Sequence, residues 1–106
     1  MMIYAIHAPT PDKLADVIEQ MRSLGAPTIR VVNCGDFYMA LEGSHRLAAA
    51  AELGLVPELV IYEQDDEIDV TEHDWYDSAN WTGERYTAGE VAGELYSVRA
   101  VDYQFS

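Results

Sequence analysis

Only one cysteine, Cys34, occurs in the 106 residues, so an intramolecular disulfide framework and a cysteine-built zinc cage are both excluded. Strong cations are nearly as scarce. Six Lys plus Arg stand against 19 Asp plus Glu, a formal charge of −13 with the three histidines neutral. Sequence-independent binding to duplex DNA depends on Lys and Arg displacing counterions, so direct DNA binding is not expected, and a nuclease is the weakest of the enzymatic readings. No apolar stretch approaches the roughly 20 residues that cross a bilayer, and no basic segment precedes an apolar run. A cytoplasmic protein without a membrane span is therefore expected. What the chain has is 49% hydrophobic residues, too many for a disordered acidic tail. One folded domain spanning 1–106 is the reading.

Met2 to Ile6 is a short apolar run and reads as a strand. Thr10 followed by Pro11 marks a helix start, with a hydroxyl able to cap free N–H groups and proline at the first helical position. Leu14, Val17, Ile18, Met21 and Leu24 recur at spacings of three and four, which predicts a helix over about 11–24 that Gly25 stops. Thr28–Val32 and Phe37–Leu41 flank the turn cluster Asn33, Cys34, Gly35 and Asp36, which predicts a hairpin. A second helix, about 45–53, is built from Leu47, four consecutive alanines and Leu53, with Gly54 as its cap. Pro57–Tyr62 is apolar enough to sit inside a sheet.

The composition changes at Glu63. Seven carboxylates fall within the twelve residues from Glu63 to Asp74, which predicts a solvated loop or an exposed helix. Asp65, Glu67 and Asp69 alternate, but the glycine of a calcium-binding loop is missing, with Val70 at the nearest place, so no protein-only metal site is assigned. Trp75, Tyr76 and Trp81 suit packing better than base stacking. Leu95, Val101, Tyr103 and Phe105 share one parity and predict one or two late strands, although Arg99 falls on that face. Ala-Gly-Glu occurs at 88–90 and again at 92–94, which reads as accidental.

The chemistry concentrates in Glu42-Gly43-Ser44-His45-Arg46, between a strand and a helix. A helix N-terminus offers unpaired N–H groups and the positive end of the dipole, and so favours anions. Gly43 lets a ligand approach the backbone, and Ser44 can cap the helix or donate to an oxyanion. His45 and Arg46 sit in the first turn, where cations are disfavoured by about 0.3–1 kcal/mol each. A phosphate held by backbone N–H groups and a guanidinium would remove that conflict. So would a neighbouring carboxylate such as Glu42. His7, His45 and His73 have no metal-ligand spacing, and Cys34 reads as an inert small residue.

Gly43-Ser44-His45-Arg46 followed by Leu47-Ala48-Ala49 resembles the phosphate-binding box of the ParB/sulfiredoxin superfamily. Gly43, Arg46 and Ala49 fit its ParB-type pattern, and sulfiredoxins have glycine, cysteine, histidine, arginine there. Thr10-Pro11-Asp12-Lys13-Leu14 resembles the helix that supplies a lysine to the nucleotide phosphates, and Gly35-Asp36-Phe37-Tyr38 the strand leading into the box. The resemblance covers about residues 2–69, leaving 70–106 as an acidic C-terminal extension of unassigned role. It implies a small ParB/sulfiredoxin-like α/β fold with a mixed sheet. It also implies nucleotide binding through Lys13, Gly43, Ser44, His45 and Arg46, with Mg²⁺ carried in by a nucleoside di- or triphosphate. Ser44 and His45 are its candidate reacting or proton-transferring groups, for phosphoryl transfer or nucleotide hydrolysis. Ser44 stands where sulfiredoxins have their catalytic cysteine, and a hydroxyl cannot do that sulfur chemistry. Nor is there room for the helix-turn-helix region and dimerisation tail of a partition protein. A second reading, from the charge alone, is a non-catalytic acidic protein that mimics nucleic acid and docks onto a basic partner.

Overall fold

Two helices form close to where periodicity and helix propensity place them, α1 over Pro11–Leu24 and α2 over Ser44–Leu53. A computed structural model describes the whole chain, residues 1–106. Around the helices lie β1 (Met2–Ala5), β2 (Thr28–Asn33), β3 (Tyr38–Ala40) and β4 (Glu58–Tyr62). After them come β5 (Glu67–Asp69), a 3₁₀ turn (Val70–Glu72), β6 (Arg85–Thr87), α3 (Ala88–Ser97) and β7 (Val101–Gln104). Five strands form one mixed sheet in the order β4-β2-β3-β1-β7. β2 and β3 make the expected antiparallel hairpin, and the Asn33 side chain accepts the Gly35 N–H at 3.0 Å to tighten its turn. β1 runs parallel to β3, and β2 parallel to β4.

Successive strand residues point to opposite faces of the sheet, so both faces acquire a core. On one, Ile3, Ala5, Ile29 and Val31 pack under Met21 of α1 and Leu47, Ala49 and Ala50 of α2. The small alanines let α2 lie close to the strands. On the other face, Val32, Met39 and Leu41 meet Val91, Ala92 and Leu95 of α3, with Trp81 alongside. The molecule is thus a three-layer α/β domain with three helices.

Residues 70–106, read from the sequence as an extension, contribute β6, α3 and β7 to this same body. β7 lies antiparallel to β1 in the main sheet. Of the late strands expected over 94–105, only this one forms, because Glu94–Ser97 belongs to α3. Thr87 and Glu90 make a reciprocal capping box at the start of that helix. The spacing of four between the two Ala-Gly-Glu triplets is a helical repeat, and it places Ala88 and Ala92 together in the second core. The acidic run from Glu63 begins as the solvated loop expected, a turn over 63–66, but does not continue as a loop or an exposed helix. It holds β5 and the 3₁₀ turn, with Ile68 and Val70 turned into the core and most carboxylates turned outward. Backbone bonds from Ala88 N–H to the Asp66 carbonyl (2.7 Å) and from Gly89 N–H to the Gln64 carbonyl (2.9 Å) pin it to α3.

Two further expectations change. Leu24, the last member of the α1 stripe, is 82% exposed, because the core ends one turn earlier at Met21. The strand expected inside the sheet is an edge. β4 pairs only with β2, and Val60 and Ile61 remain 45% and 44% exposed. An apolar run reports a tolerance for burial. Whether a further strand lies beyond it is a matter of topology.

Candidate functional site

Gly43 is the residue before the first turn of α2, and its backbone is left-handed at φ +79°. A Cβ there would lie 2.6 Å from Ile29 Cδ1, so both conformation and space demand glycine. Ser44 therefore lies inside the first turn and does not cap the helix, as no side chain does. Thr10 likewise makes no side-chain cap for α1. Its N–H and hydroxyl instead meet His45 Nε2 at 3.0 and 3.2 Å. The imidazole thus ties the starts of two helices together. Nε2 acts as the acceptor of the Thr10 N–H in this contact, which leaves Nδ1 as the ring nitrogen not engaged by it.

Arg46 reaches back from the first turn. Its guanidinium donates to the Thr28 carbonyl at 3.0 Å and to Glu42 Oε2 at 3.3 Å. Glu42 Oε1 in turn accepts two bonds from Arg30, at 2.6 and 3.0 Å. The contact that relieves the cation at the helix start is therefore Glu42, and one carboxylate serves two arginines. Burial pushes the Glu42 carboxyl up, but the hydrogen bonds and charge of Arg30, aided by Arg46, outweigh it and hold the group below its ordinary value. The same bond raises Arg30 above its already high value.

These residues line a cleft of about 890 Å³ that runs beside α1. Every residue the sequence pointed to for binding is there, namely Lys13, Gly43, Ser44, His45 and Arg46. Lys13 is exposed and makes no ion pair. The cleft also gathers Arg30, His7 and His73, so it holds three of the six strong cations and all three histidines. Only three of the 19 carboxylates join them, Glu42, Glu72 and Asp74, which leaves 16 carboxylates and three arginines for the rest of the protein. Along α1 the wall turns apolar, with Val17, Met21 and Leu24.

His73 comes from the far side of the sheet. It is 8% exposed and stacks on Trp75 at 4.8 Å between ring centroids, with the planes 6° apart. Trp75 is itself anchored by its indole N–H on the Leu41 carbonyl at 2.7 Å, beside Glu42. Burial, and after it the charge of Arg30, lowers the pKa of His73 below its ordinary value, so the ring is neutral at neutral pH. Ser44 is equally buried, and no hydrogen bond joins its hydroxyl to a base. Trp75, Tyr76 and Trp81 face the second core and do not line the cleft. Cys34 lies outside it too, and burial raises its thiol, away from reactivity.

Arg30, Glu72 and His73 were not among the residues the sequence singled out for the site, and Glu42 entered only as a neutralising neighbour. Arg30 left one signal, as the lone charge in the otherwise uncharged strand Thr28–Asn33. His73 left none, since it arrives through the fold of a segment far along the chain. No group of three or more His, Cys, Asp or Glu side chains is arranged to hold a metal ion. The chain matches no family model, no curated protein and no solved structure.

Proposed function

We propose that this protein is a nucleotide-phosphate-binding module of ParB/sulfiredoxin-like type, whose ligand sits in the cleft between the starts of α1 and α2. One observation carries the reading. In a chain of charge −13, half of the strong cations and every histidine converge on a single cleft beside two helix N-termini that no side chain caps. Such ends attract oxyanions through free N–H groups and the dipole. A volume of about 890 Å³ suits a mononucleotide. Lys13, Ser44, His45 and Arg46 would contact phosphate oxygens, with the left-handed Gly43 setting the turn that leads into them. Mg²⁺ arriving with the nucleotide usually keeps several waters and takes one or two carboxylates, which Glu72 and Asp74 at the cleft can supply. Phosphoryl transfer or hydrolysis would draw on Ser44 or His45, with the cations offsetting charge that develops on the moving group.

The test is a ¹H–¹⁵N titration with ATP, ADP, CTP and GTP, each with Mg²⁺, against an Arg46→Ala control. Shifts clustered at Gly43–Leu47 and near Lys13, lost in the variant, are the expected result, and turnover assays with the preferred nucleotide follow. A folded spectrum unmoved by millimolar nucleotide sinks the reading. One observation favours the second reading, an acidic interaction protein. Glu42 already neutralises Arg46 without any ligand, and 16 carboxylates lie outside the cleft. That reading expects salt-sensitive binding to a cationic protein and indifference to Arg46→Ala.

A further inference from the structure

The bridge that Glu42 makes between Arg30 and Arg46 supports a statement about ligand class, resting on the phosphate-binding reading above. Its two oxygens are divided between two guanidinium groups, Oε1 to Arg30 at 2.6 Å and Oε2 to Arg46 at 3.3 Å. Two oxygens of one phosphoryl group would bridge the same pair in the same way. Two polar side chains beside it have no bond to make. Ser44 and His73 are each 8% exposed, line the cleft and donate to or accept from no other group of the protein. Neither is sealed off, since no fully buried side-chain nitrogen or oxygen lacks a partner, and both residues line the cleft. The pocket is thus furnished with donors around an anion the protein supplies itself.

We propose that Glu42 sets ligand selectivity: it is an internal anion that holds the two-arginine fork against singly charged ligands and yields to a phosphoryl dianion, the terminal group of a phosphomonoester or nucleoside diphosphate. The charge count gives the reason. With Glu42 in place the fork carries one net positive charge, and Glu72, 3.9 Å from Arg30, reduces it further. A phosphodiester or a carboxylate brings one negative charge, so it would exchange like for like and strand the half-buried Glu42 without partners. A phosphomonoester carries close to two charges above its second pKa of about 6, and gains what the monoanion cannot. Ser44 and His73 then supply the bonds for its third oxygen.

The experiment measures affinity for AMP, a monoester, and for 3′,5′-cyclic AMP, a diester, at pH 7.5 by calorimetry. It compares the wild-type protein with Glu42→Gln and Glu72→Gln, and follows the Glu42 carboxyl carbon by ¹³C NMR in the wild type. The wild type is expected to prefer AMP at least tenfold. Glu42→Gln should bind both ligands more tightly with the preference falling near unity, and Glu72→Gln should leave the preference unchanged. The Glu42 carboxyl resonance should move with AMP and stay put at the same concentration of the cyclic diester. A weaker AMP complex in Glu42→Gln, or an unmoved carboxyl signal at saturation, overturns the proposal. So does an equal loss of preference in Glu72→Gln, because bulk charge would then set selectivity. In each of these cases the wild type still binds nucleotide, so the broader reading survives. Failure of every protein to bind either probe removes this proposal, and the titration with ATP, ADP, CTP and GTP then decides the broader reading separately.

Discussion

Gly43 and Gly54 bracket α2, and both hold left-handed backbone, at φ +79° and +70°. They differ in what an added methyl group would meet. At Gly54 there is open space, whereas at Gly43 the new Cβ would lie 2.6 Å from Ile29 Cδ1, and Ile29 is completely buried. Gly54→Ala thus isolates the backbone term. Left-handed alanine costs about 1–2 kcal/mol, of which roughly 0.5 kcal/mol returns through a less flexible unfolded chain, leaving about 1 kcal/mol. Gly43→Ala adds the displacement of the buried Ile29 terminal methyl, about 1–3 kcal/mol for overpacking. Its total is about 2–4 kcal/mol. Urea unfolding of both variants, with unchanged slope, reads the difference. Ile29→Val removes the clashing methyl and costs about 1 kcal/mol alone, but should recover roughly that much in the Gly43→Ala background. Equal costs at Gly43 and Gly54, or strict additivity with Ile29→Val, would refute the claim that packing against Ile29 selects glycine at the head of the site.

Val91→Ala should cost about 2 kcal/mol, from two methyl groups lost at a fully buried position of α3, and lower the melting temperature accordingly. A cost under about 0.5 kcal/mol would mean that the C-terminal third is not part of the core. Trp75→Phe keeps an aromatic ring but loses the pyrrole half of the indole and its 2.7 Å bond to the Leu41 carbonyl, an expected loss of about 1–3 kcal/mol in urea unfolding. His73 is held neutral in the fold, with its pKa below the ordinary 6.5. Its contribution to stability is thus complete above that value and lost as pH falls through the lower folded value. His73→Gln should flatten the decline in melting temperature from pH 7.5 to 5, and an unchanged slope contradicts the assignment. Glu42, also lowered, acts further into acid, so Glu42→Gln should flatten the limb below its ordinary 4.5.

Much of the first sheet face was legible because its signals are local. Thr10-Pro11, a stripe at three and four, an alanine run and a turn cluster each act within a few residues. α3 was the local element missed. Its capping pair Thr87 and Glu90 and its repeat of four were both present, but two glycines lowered its helix propensity and the parity of Leu95, Val101, Tyr103 and Phe105 suggested a strand. In the site, the box at Gly43–Arg46 was visible, as was the conflict of a cation in a first helical turn. The answer to that conflict was only half visible. A glutamate four residues before an arginine is a recognisable pair, whereas the sharing of that glutamate with Arg30, twelve positions away, is not.

The sequence by itself determined roughly where two helices start and that a scarce arginine is placed at a helix head. Both follow from interactions over one turn, whereas the reason for glycine at position 43, its contact with Ile29, came from the fold. Tertiary structure alone decided that Glu42 would also serve Arg30, which strand would be the edge, and that His73 would line the cleft. Charge pairing in so acidic a chain is degenerate, because every cation has many possible partners of equal chemistry. Only the packing of both sheet faces, which brings Arg30, Glu42 and His73 to one place, breaks that degeneracy.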